Sequence, residues 1–324
     1  MIAVRQLLVI ALALVGLVSG AAAQEPYPSQ RVTIVVPSPE GRMDDLTARP
    51  LAAALERIFK QSVVVANRPG SAGAVGSQFV TVAKPDGYTL LLNVGSGWIL
   101  PELDALSGRP PAYSRDQFVG IARISAEPPV LWVNAGAPWK SLEDLLEDAR
   151  RRPGAITFAS SGKYSASHMP VEMLRHAAGV KMRHLPMPGG REAASAVVGG
   201  QAHLWVSPLV NALPYLRKGE IRPLAVWGHS RLAMLLDVPT LNERGLDCEY
   251  HVWAGLFAPR GLPTAVLEGL RDAVRKGLED PDFKTAMDKL GTRIAYQDGD
   301  EFTVWWARDT AALAASARRI VETE

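Results

Sequence analysis

The sequence predicts an α/β fold in which helices cover a parallel sheet. Short apolar runs rich in β-branched residues alternate with segments of helical periodicity, in the order strand, helix, strand, helix, strand at the start of the chain. Clusters of Pro and Gly separate these segments and mark the turns between them. The chain of 324 residues is longer than one hydrophobic core usually grows, so we expect two domains.

The first 23 residues are predicted to be a secretory signal. Arg5 supplies a positive charge, an apolar run extends from Leu7 to Val18, and three alanines precede Gln24. A membrane-spanning helix needs about 20 apolar residues, and this run is shorter. We therefore expect export to the periplasm, with residues 1–23 removed from the mature protein.

Composition argues against several classes of protein. The net charge is +2, and the signal carries one arginine and no acids, so the mature chain is close to neutral. Proteins that bind nucleic acids or anionic membranes need a clustered basic excess, and neither partner is expected. The single cysteine, Cys248, cannot form an internal disulfide, and we expect it to be buried as a small apolar side chain.

Apolar periodicity places five elements in the first part of the chain. They are strand Val32–Val36, helix Leu46–Ile58, strand Ser62–Val65, helix Ala72–Ala83 and strand Tyr88–Asn93.

A second series of elements follows and predicts an inserted domain. It comprises strand Val130–Val133, helix Leu142–Arg151, strand Ile156–Ala159, helix Ser167–Ala178, strand Arg183–Leu185, helix Glu192–Val198 and strands Leu204–Val206 and Ile221–Val226. Strand Val252–Ala258 and helices Thr264–Leu278, Phe283–Leu290 and Glu301–Val321 come last. These late helices need a sheet to cover, so the chain should return to the first domain. We expect residues 24–121 and 228–324 to form one domain and residues 122–227 the other.

The loop from Val36 to Asp45 predicts a ligand-binding corner. It follows an apolar strand, contains Pro and Gly, and precedes a helix for which Asp44 or Asp45 is the expected N-cap. Free backbone N–H groups at a helix start attract anions, and open α/β sheets bind ligands at the carboxyl ends of their strands. This loop therefore indicates an anion site.

Two glycine-containing loops resemble nucleotide motifs only in part. Gly70, Gly73 and Gly76 have the spacing G-x-x-G-x-x-G, which differs from the dinucleotide fingerprint. Near Ser160 and Ser161 the first glycine of a phosphate loop is replaced by Thr157, and Tyr164 replaces its magnesium-binding hydroxyl residue. Nucleotide binding is not expected.

Catalytic and metal sites are also weakly supported. Ser96 lies between two glycines, but Asn93 replaces the first glycine of a nucleophile elbow and Pro101 follows soon after. His168, Glu172 and His176 would spread over about 12 Å of one helix, at 1.5 Å per residue, which is too far for one ion. We expect no metal, and an exported hydrolase using Ser96 or Ser160 with His168 is kept as an alternative.

Several motifs occur in one order along the predicted mature chain. They are Tyr27-Pro28 with Val32–Pro37, Gly41 with Asp45 and Arg49, Val64–Gly70 with Gly73 and Gly76, Lys84–Leu90, Phe158–Gly162 with Ser167-His168, Gly199–Gln201, Gly219–Val226 and Asp237–Thr240. In these motifs and their order, the chain resembles the substrate-binding receptors of tripartite tricarboxylate transporters, the Bug or TctC family.

The resemblance implies a fold, a location and partners. It implies two Rossmann-like α/β domains around a ligand cleft, as in periplasmic binding proteins, with no catalysis and no cofactor. The implied partners are a small organic carboxylate and the membrane permease subunits of a tripartite tricarboxylate transporter, and we expect a monomer. A ligand sensor that is not coupled to transport is a second alternative.

The resemblance also implies a ligand site with two walls. The first wall would contain Ser38, Pro39, Glu40, Gly41, Arg42 and Asp45, with Gly95, Ser96 and Gly97. The second wall would contain Ser160, Ser161, Gly162, His168, Met187, Gly189, Ser207 and Pro208. Ser160 and Ser161 could equally cap the following helix, and His168 could equally be a packed, hydrogen-bonded side chain.

Three departures from the family pattern concern the ligand. Ser38–Arg42 stands where members usually carry Phe-Pro-Pro-Gly-Gly, Met187-Pro188 replaces a common Tyr-Lys pair, and Ser207-Pro208 replaces a common Asp-Asn pair. Arg42 would then bind a ligand carboxylate, pair with Glu40, or belong to a pocket for an amphoteric or less charged compound. A further set of aromatic residues could face a ligand ring or lie in the core: Trp98, Trp205 and Trp253.

Overall fold

The computed structural model describes residues 27–323. The predicted signal, residues 1–23, lies outside this range. No helix within residues 27–323 is long and apolar enough to cross a membrane.

The described chain contains two β-sheets. The first has six strands in the order β11-β4-β10-β3-β1-β2 and the second has five in the order β7-β6-β8-β5-β9. The first sheet is formed by β1 (Val32–Val36), β2 (Val63–Asn67), β3 (Thr89–Val94), β4 (Phe118–Glu127), β10 (Val252–Pro259) and β11 (Ile294–Asp298). The second is formed by β5 (Val130–Asn134), β6 (Thr157–Ser160), β7 (Arg183–Pro186), β8 (Leu204–Ser207) and β9 (Ile221–Val226).

Ten α-helices occur within residues 27–323. They are α1 (Met43–Phe59), α2 (Ala74–Thr81), α3 (Leu100–Leu106), α4 (Leu142–Arg151), α5 (Met169–Ala178), α6 (Gly190–Val198), α7 (Leu209–Arg217), α8 (Thr264–Glu279), α9 (Pro281–Leu290) and α10 (Gly299–Thr323). The predicted α/β fold is confirmed, since helices and strands alternate in both parts of the chain.

The sheets are mixed, although the sequence pattern predicted parallel pairing. Strand β1 is parallel to β2 and β3, and β6 is parallel to β7 and β8. Strand β10 is antiparallel to β3 and β4, and β5 is antiparallel to β8 and β9. The reason is the path of the chain. It leaves the first sheet through β4, enters the second through β5, leaves it through β9 and returns through β10, so outgoing and returning strands pair in opposite directions.

Four elements were absent from the sequence prediction: β4, β11, α3 and α7. Gly120 and Arg123 interrupt the apolar run of β4, and Pro214 lies inside α7. Pro101 occupies the first turn of α3 instead of preventing a helix, because an N-terminal proline loses no intrahelical hydrogen bond.

The N-cap prediction for α1 was wrong. Arg42 is the N-cap, and Asp44 and Asp45 are the second and third helical residues. The Asp45 carboxylate reaches back across the helix start and accepts a hydrogen bond from the Gly41 N–H at 2.8 Å, which places it inside the first turn.

Apolar side chains pack on both faces of each sheet. One cluster joins the first sheet to α1, α8 and α9, and its opposite face holds an aromatic group that includes Trp98 and Trp253. These two tryptophans are 2% and 0% exposed, so they are core residues. Cys248 is buried and free, as predicted. Residues Leu313–Ile320 of α10 pack in the same cluster as residues of the second sheet, which ties the two parts together.

Candidate functional site

A cavity of about 780 Å³ lies between the two sheets. Its lining from the first part of the fold is Gly41, Arg42, Met43, Leu46, Thr47, Glu127, Val252, Lys289, Leu290 and Thr292. Its lining from the second part is Ser161, Ala166, Ser167, Gly190, Arg191, Ala194, Trp205, Val206, Ser207, Pro208, Val210, Asn211, Pro214 and Tyr215. Five predicted site residues are in this set: Gly41, Arg42, Ser161, Ser207 and Pro208.

The Gly41 turn is held in place by Asp45. Gly41 has a φ of +79°, which favours glycine. Asp45 is 1% exposed and accepts hydrogen bonds from the Gly41 N–H, from Arg49 Nε at 3.0 Å and from Asn67 Nδ2 at 2.9 Å. Burial acts to raise the pKa of Asp45, but the hydrogen bonds from Arg49, Gly41 and Asn67 outweigh it and lower the pKa. Asp45 therefore positions the loop and does not line the cavity.

Arg42 and Glu40 do not pair with each other. The Glu40 Oε1 atom lies 3.3 Å from an Arg49 guanidinium nitrogen, on the exposed surface. Arg42 is exposed, lines the cavity and forms no ion pair within residues 27–323. The guanidinium of Arg42 is thus available to a ligand.

The residues on either side of Glu40 have other surroundings. Ser38 donates a hydrogen bond to Asp44 Oδ1 at 2.6 Å, and Pro39 is exposed. Asp44 is 3% exposed, and burial raises its pKa. Ser38 supports the start of α1, and neither Ser38 nor Pro39 lines the cavity.

The turn after β3 does not line the cavity. Gly95, Ser96 and Gly97 form a 3₁₀ turn. A Cβ atom on Gly95 would lie 2.3 Å from Trp253 Nε1, so glycine is required for this packing. The Tyr113 hydroxyl donates to the Gly97 carbonyl. In this predicted part of the first wall, Gly95 and Gly97 are buried and Ser96 is partly buried.

The loop after β6 is divided between the cavity and the interior. The Ser160 side chain is fully buried, donates to the Gly162 carbonyl at 2.9 Å and lies 2.6 Å from His184 Nε2. Ser161 lines the cavity, and its N–H donates to Ser167 Oγ at 2.8 Å. Gly162 has a φ of +113°, which favours glycine, and does not line the cavity. Ser160 is enclosed by the fold, and its hydroxyl contacts His184 and not the His168 that the hydrolase alternative requires, which argues against that alternative.

His168 is a packed side chain. It is 2% exposed, and its Nδ1 accepts a hydrogen bond from the Tyr164 N–H at 3.1 Å. Its ring lies 4.2 Å from that of His184. Burial, together with His184, Lys163 and Arg175, lowers its pKa to about 3, so the ring is neutral at pH 7. His168 shapes the loop from inside and does not line the cavity.

The remaining predicted residues begin two helices. Met187 packs against the apolar core of the second sheet, and Gly189 is the N-cap of α6. A Cβ atom on Gly189 would lie 2.5 Å from Glu192 Oε2. Ser207 ends β8, and Pro208 is the N-cap of α7. Of these four, Ser207 and Pro208 line the cavity, as do Gly190 and Arg191, which directly follow Gly189.

Several cavity residues were missed by the sequence analysis. Arg191 is close in sequence to Gly189, so that motif could have indicated it. Trp205, which was expected either to face a ligand ring or to lie in the core, is buried and lines the cavity. Glu127, Lys289 and Thr292 lie in no motif, and no sequence signal connects them to the loop at Gly41. Glu127 ends β4, Lys289 lies in the last turn of α9, and Thr292 lies in the turn that leads from α9 to β11, which pairs with β4.

The starts of three helices meet at the cavity. Arg42 caps α1, Gly190 begins α6 and Pro208 caps α7, and all three residues line the cavity. Helix N-termini carry unpaired N–H groups and a partial positive charge. Together with the cations of Arg42, Arg191 and Lys289, they favour a bound anion. No cluster of three or more metal-binding side chains occurs in residues 27–323.

Comparison with known proteins places the chain in a family. Residues 47–319 match the model of the tripartite tricarboxylate transporter family receptor, TctC. A UPF0065 protein from the tcbD-tcbE intergenic region of Pseudomonas sp. strain P51 is 33% identical over 90% of this chain and 86% of its own length.

Solved structures of similar proteins share the fold. A TctC solute binding protein from Polaromonas has a TM-score of 0.80 at 29% identity, over 90% of this chain and 99% of that one. An R. palustris protein with adipate has a TM-score of 0.75 at 28% identity, over 90% of this chain and 97% of that one. MatC from Rhodopseudomonas palustris with bound malate has a TM-score of 0.73 at 26% identity, over 90% of this chain and 99% of that one. The chain belongs to the tripartite tricarboxylate transporter receptor family, the Bug or TctC proteins, and is a solute-binding protein and not an enzyme.

Proposed function

We propose that the protein captures a small organic carboxylate in the periplasm and delivers it to the membrane subunits of a tripartite tricarboxylate transporter. The observation that carries this proposal is the cavity between the sheets, where helix starts and the cations of Arg42, Arg191 and Lys289 converge. Family membership and the ligands named for two similar structures, adipate and malate, support a carboxylate. The predicted signal in residues 1–23 supports export.

We further propose two domains, one built on each sheet. The first sheet takes its strands from residues 32–127 and 252–298, and the second takes all of its strands from residues 130–226. Residue 122 lies within β4, so the domain boundary belongs near Pro128, where β4 leads into β5. The cavity then lies between the domains, where a ligand would touch both.

Arg42 provides the direct test of carboxylate binding. A hydrogen bond to a charged group contributes roughly 1.5–3 kcal/mol, so Arg42→Gln should weaken binding about ten- to 150-fold. Isothermal titration calorimetry with malate and adipate measures this change, and circular dichroism checks that the variant is folded.

Glu40→Gln is the matched control in the same loop. Glu40 pairs with Arg49 and not with Arg42, so this variant should bind the same carboxylate within about two-fold of the wild type. Tighter binding by Glu40→Gln would show that Glu40 competes with the ligand for Arg42. Wild-type affinity in Arg42→Gln would rule out direct binding by that guanidinium.

A further inference from the structure

One buried acid lines the cavity within the described residues. Glu127 is the last residue of β4 and is 7% exposed. The Arg293 N–H donates to its Oε1 at 3.2 Å, and the Thr292 hydroxyl also stabilises the carboxylate. No lysine, arginine or histidine of residues 27–323 forms an ion pair with it. An ionised carboxylate accepts about four hydrogen bonds, so two neutral donors leave it with unused capacity.

An apolar residue of the neighbouring strand lies beside Glu127. Val252 lies opposite Glu127 in the pairing of β10 with β4, and both residues line the cavity. Burial raises the pKa of Glu127 to about 7. A ligand that displaces water from the cavity would deepen this burial, and a buried carboxylate is costly unless a donor or a cation pairs with it.

The cations and the acid that line the cavity differ in their exposure. Arg42, Arg191 and Lys289 are exposed residues, whereas Glu127 is buried. A ligand whose carboxylate lies against the exposed cations would therefore direct another part of its structure toward the acid. A second carboxylate in that place would meet a charge of the same sign, whereas an ammonium group would bring both the opposite charge and N–H donors.

Resting on the proposed function, we propose that Glu127 makes the site selective for ligands that carry an ammonium group in addition to carboxylate. Glu127 pairs with the ammonium inside the cavity while the exposed cations and helix starts hold the carboxylate. Glu127 is then the residue that decides between an amino acid and the corresponding simple dicarboxylate.

Ligand pairs that differ only in the ammonium group test this proposal. Calorimetry with aspartate and succinate, and with 2-aminoadipate and adipate, gives the affinity ratio within each pair. In the wild type at pH 8, the amino compound should bind at least about ten-fold more tightly. Glu127→Gln preserves the side-chain volume and removes the charge, so the ratio should fall to within about two-fold.

Glu268→Gln is the matched control, because it removes one acid from an exposed position on α8 away from the cavity. It should keep the wild-type ratio. Wild-type protein that binds succinate and adipate as tightly as their amino counterparts would overturn the inference, as would an unchanged ratio in folded Glu127→Gln. In both cases carboxylate binding itself would still support the proposed function. Failure of all four compounds to bind would overturn the proposed function and the inference with it.

Discussion

Single polar residues in this protein fall into two groups that the sequence does not distinguish. Asp45, Ser160 and His168 are buried and hydrogen-bonded within the protein, so they hold loops in position. Ser161 comes from the same motif as Ser160 and His168, but it is only partly buried and lines the cavity. The difference follows from the rule that buried polar groups need partners, because a group whose partners are all supplied by the fold has little capacity for a ligand.

His168 should make the stability of the protein depend on pH. The unfolded chain binds a proton at this residue near pH 6.5, whereas the folded protein does so only near pH 3. Acidification from pH 6.5 toward 3 therefore favours unfolding, by up to about 1.4 kcal/mol per pH unit. Urea unfolding of the wild type and His168→Asn between pH 7 and 4 should give a flatter curve for the variant.

His176→Asn is the control for that measurement. His176 is exposed on the same helix, α5, so its replacement should leave the shape of the pH curve unchanged. A His168→Asn curve parallel to the wild type across this pH range would contradict the assignment of acid sensitivity to His168.

At the scale of elements, the carboxyl ends of strands and the starts of helices build the site. The β1 to α1 loop supplies Gly41 and Arg42, and the β8 to α7 junction supplies Ser207 and Pro208. Helix α2 does not line the cavity, but it supports the first of these loops. Gly76 on α2 approaches the backbone of Pro37 and Arg68, so a Cβ atom there would lie 2.8 Å from Pro37 Cα and 2.7 Å from the Arg68 carbonyl oxygen.

Gly76→Ala should destabilise the protein because the backbone of two neighbouring segments would have to move. Overpacking of this kind costs typically about 1–3 kcal/mol. Gly269→Ala provides the opposite case, since no atom lies within 4 Å of its added Cβ and the residue is inside α8. Helix propensity should make that variant more stable by about 0.5–1 kcal/mol.

Urea unfolding measures both changes: where the dependence of the free energy of unfolding on urea has the same slope, a shift in the midpoint reports a change in stability. The pair is informative because the chemical change is the same and only the surroundings differ. Equal midpoints for the two variants would show that α2 does not pack as closely against the β1 to α1 loop as the structure indicates.

At the scale of the whole molecule, the cavity wall comes from both sheets, and this has a mechanical consequence. A ligand that contacts both walls stabilises the arrangement in which the walls are near each other. Three chain segments connect the two parts or pack across them: the junction at Pro128, the stretch from Trp227 to His251, and α10, which packs against the second-sheet cluster that includes α5.

Ligand binding should therefore bring the two parts together. Small-angle X-ray scattering should show a smaller radius of gyration in the presence of a saturating carboxylate, chosen as the tighter binder of malate and adipate. Arg42→Gln at the same ligand concentration is the control, and its profile should stay close to that of the free protein. An unchanged wild-type profile at saturation would count against closure around the ligand.

The alternation of elements, the loop at Gly41 and the family could all be predicted from the amino-acid sequence. These depend on local features: apolar periodicity, turn residues at strand ends and motifs in a fixed order. Helix α4, for example, has the predicted bounds Leu142–Arg151, since Ser141 caps it and its apolar positions recur at helical spacing.

Which side chains reach the cavity depends on contacts between distant parts of the chain, and the sequence predicted only part of it. Glu127, Lys289 and Thr292 are distant from the Gly41 loop in sequence. They share its cavity because β4, which ends in Glu127, pairs with β11, and the end of α9 leads into that strand. Glu40 was expected in the ligand wall but pairs with Arg49, one helical turn beyond Asp45. The physical reason is that contacts between distant segments depend on strand order and on competition among partners, and neither is encoded in the spacing of residues along the chain.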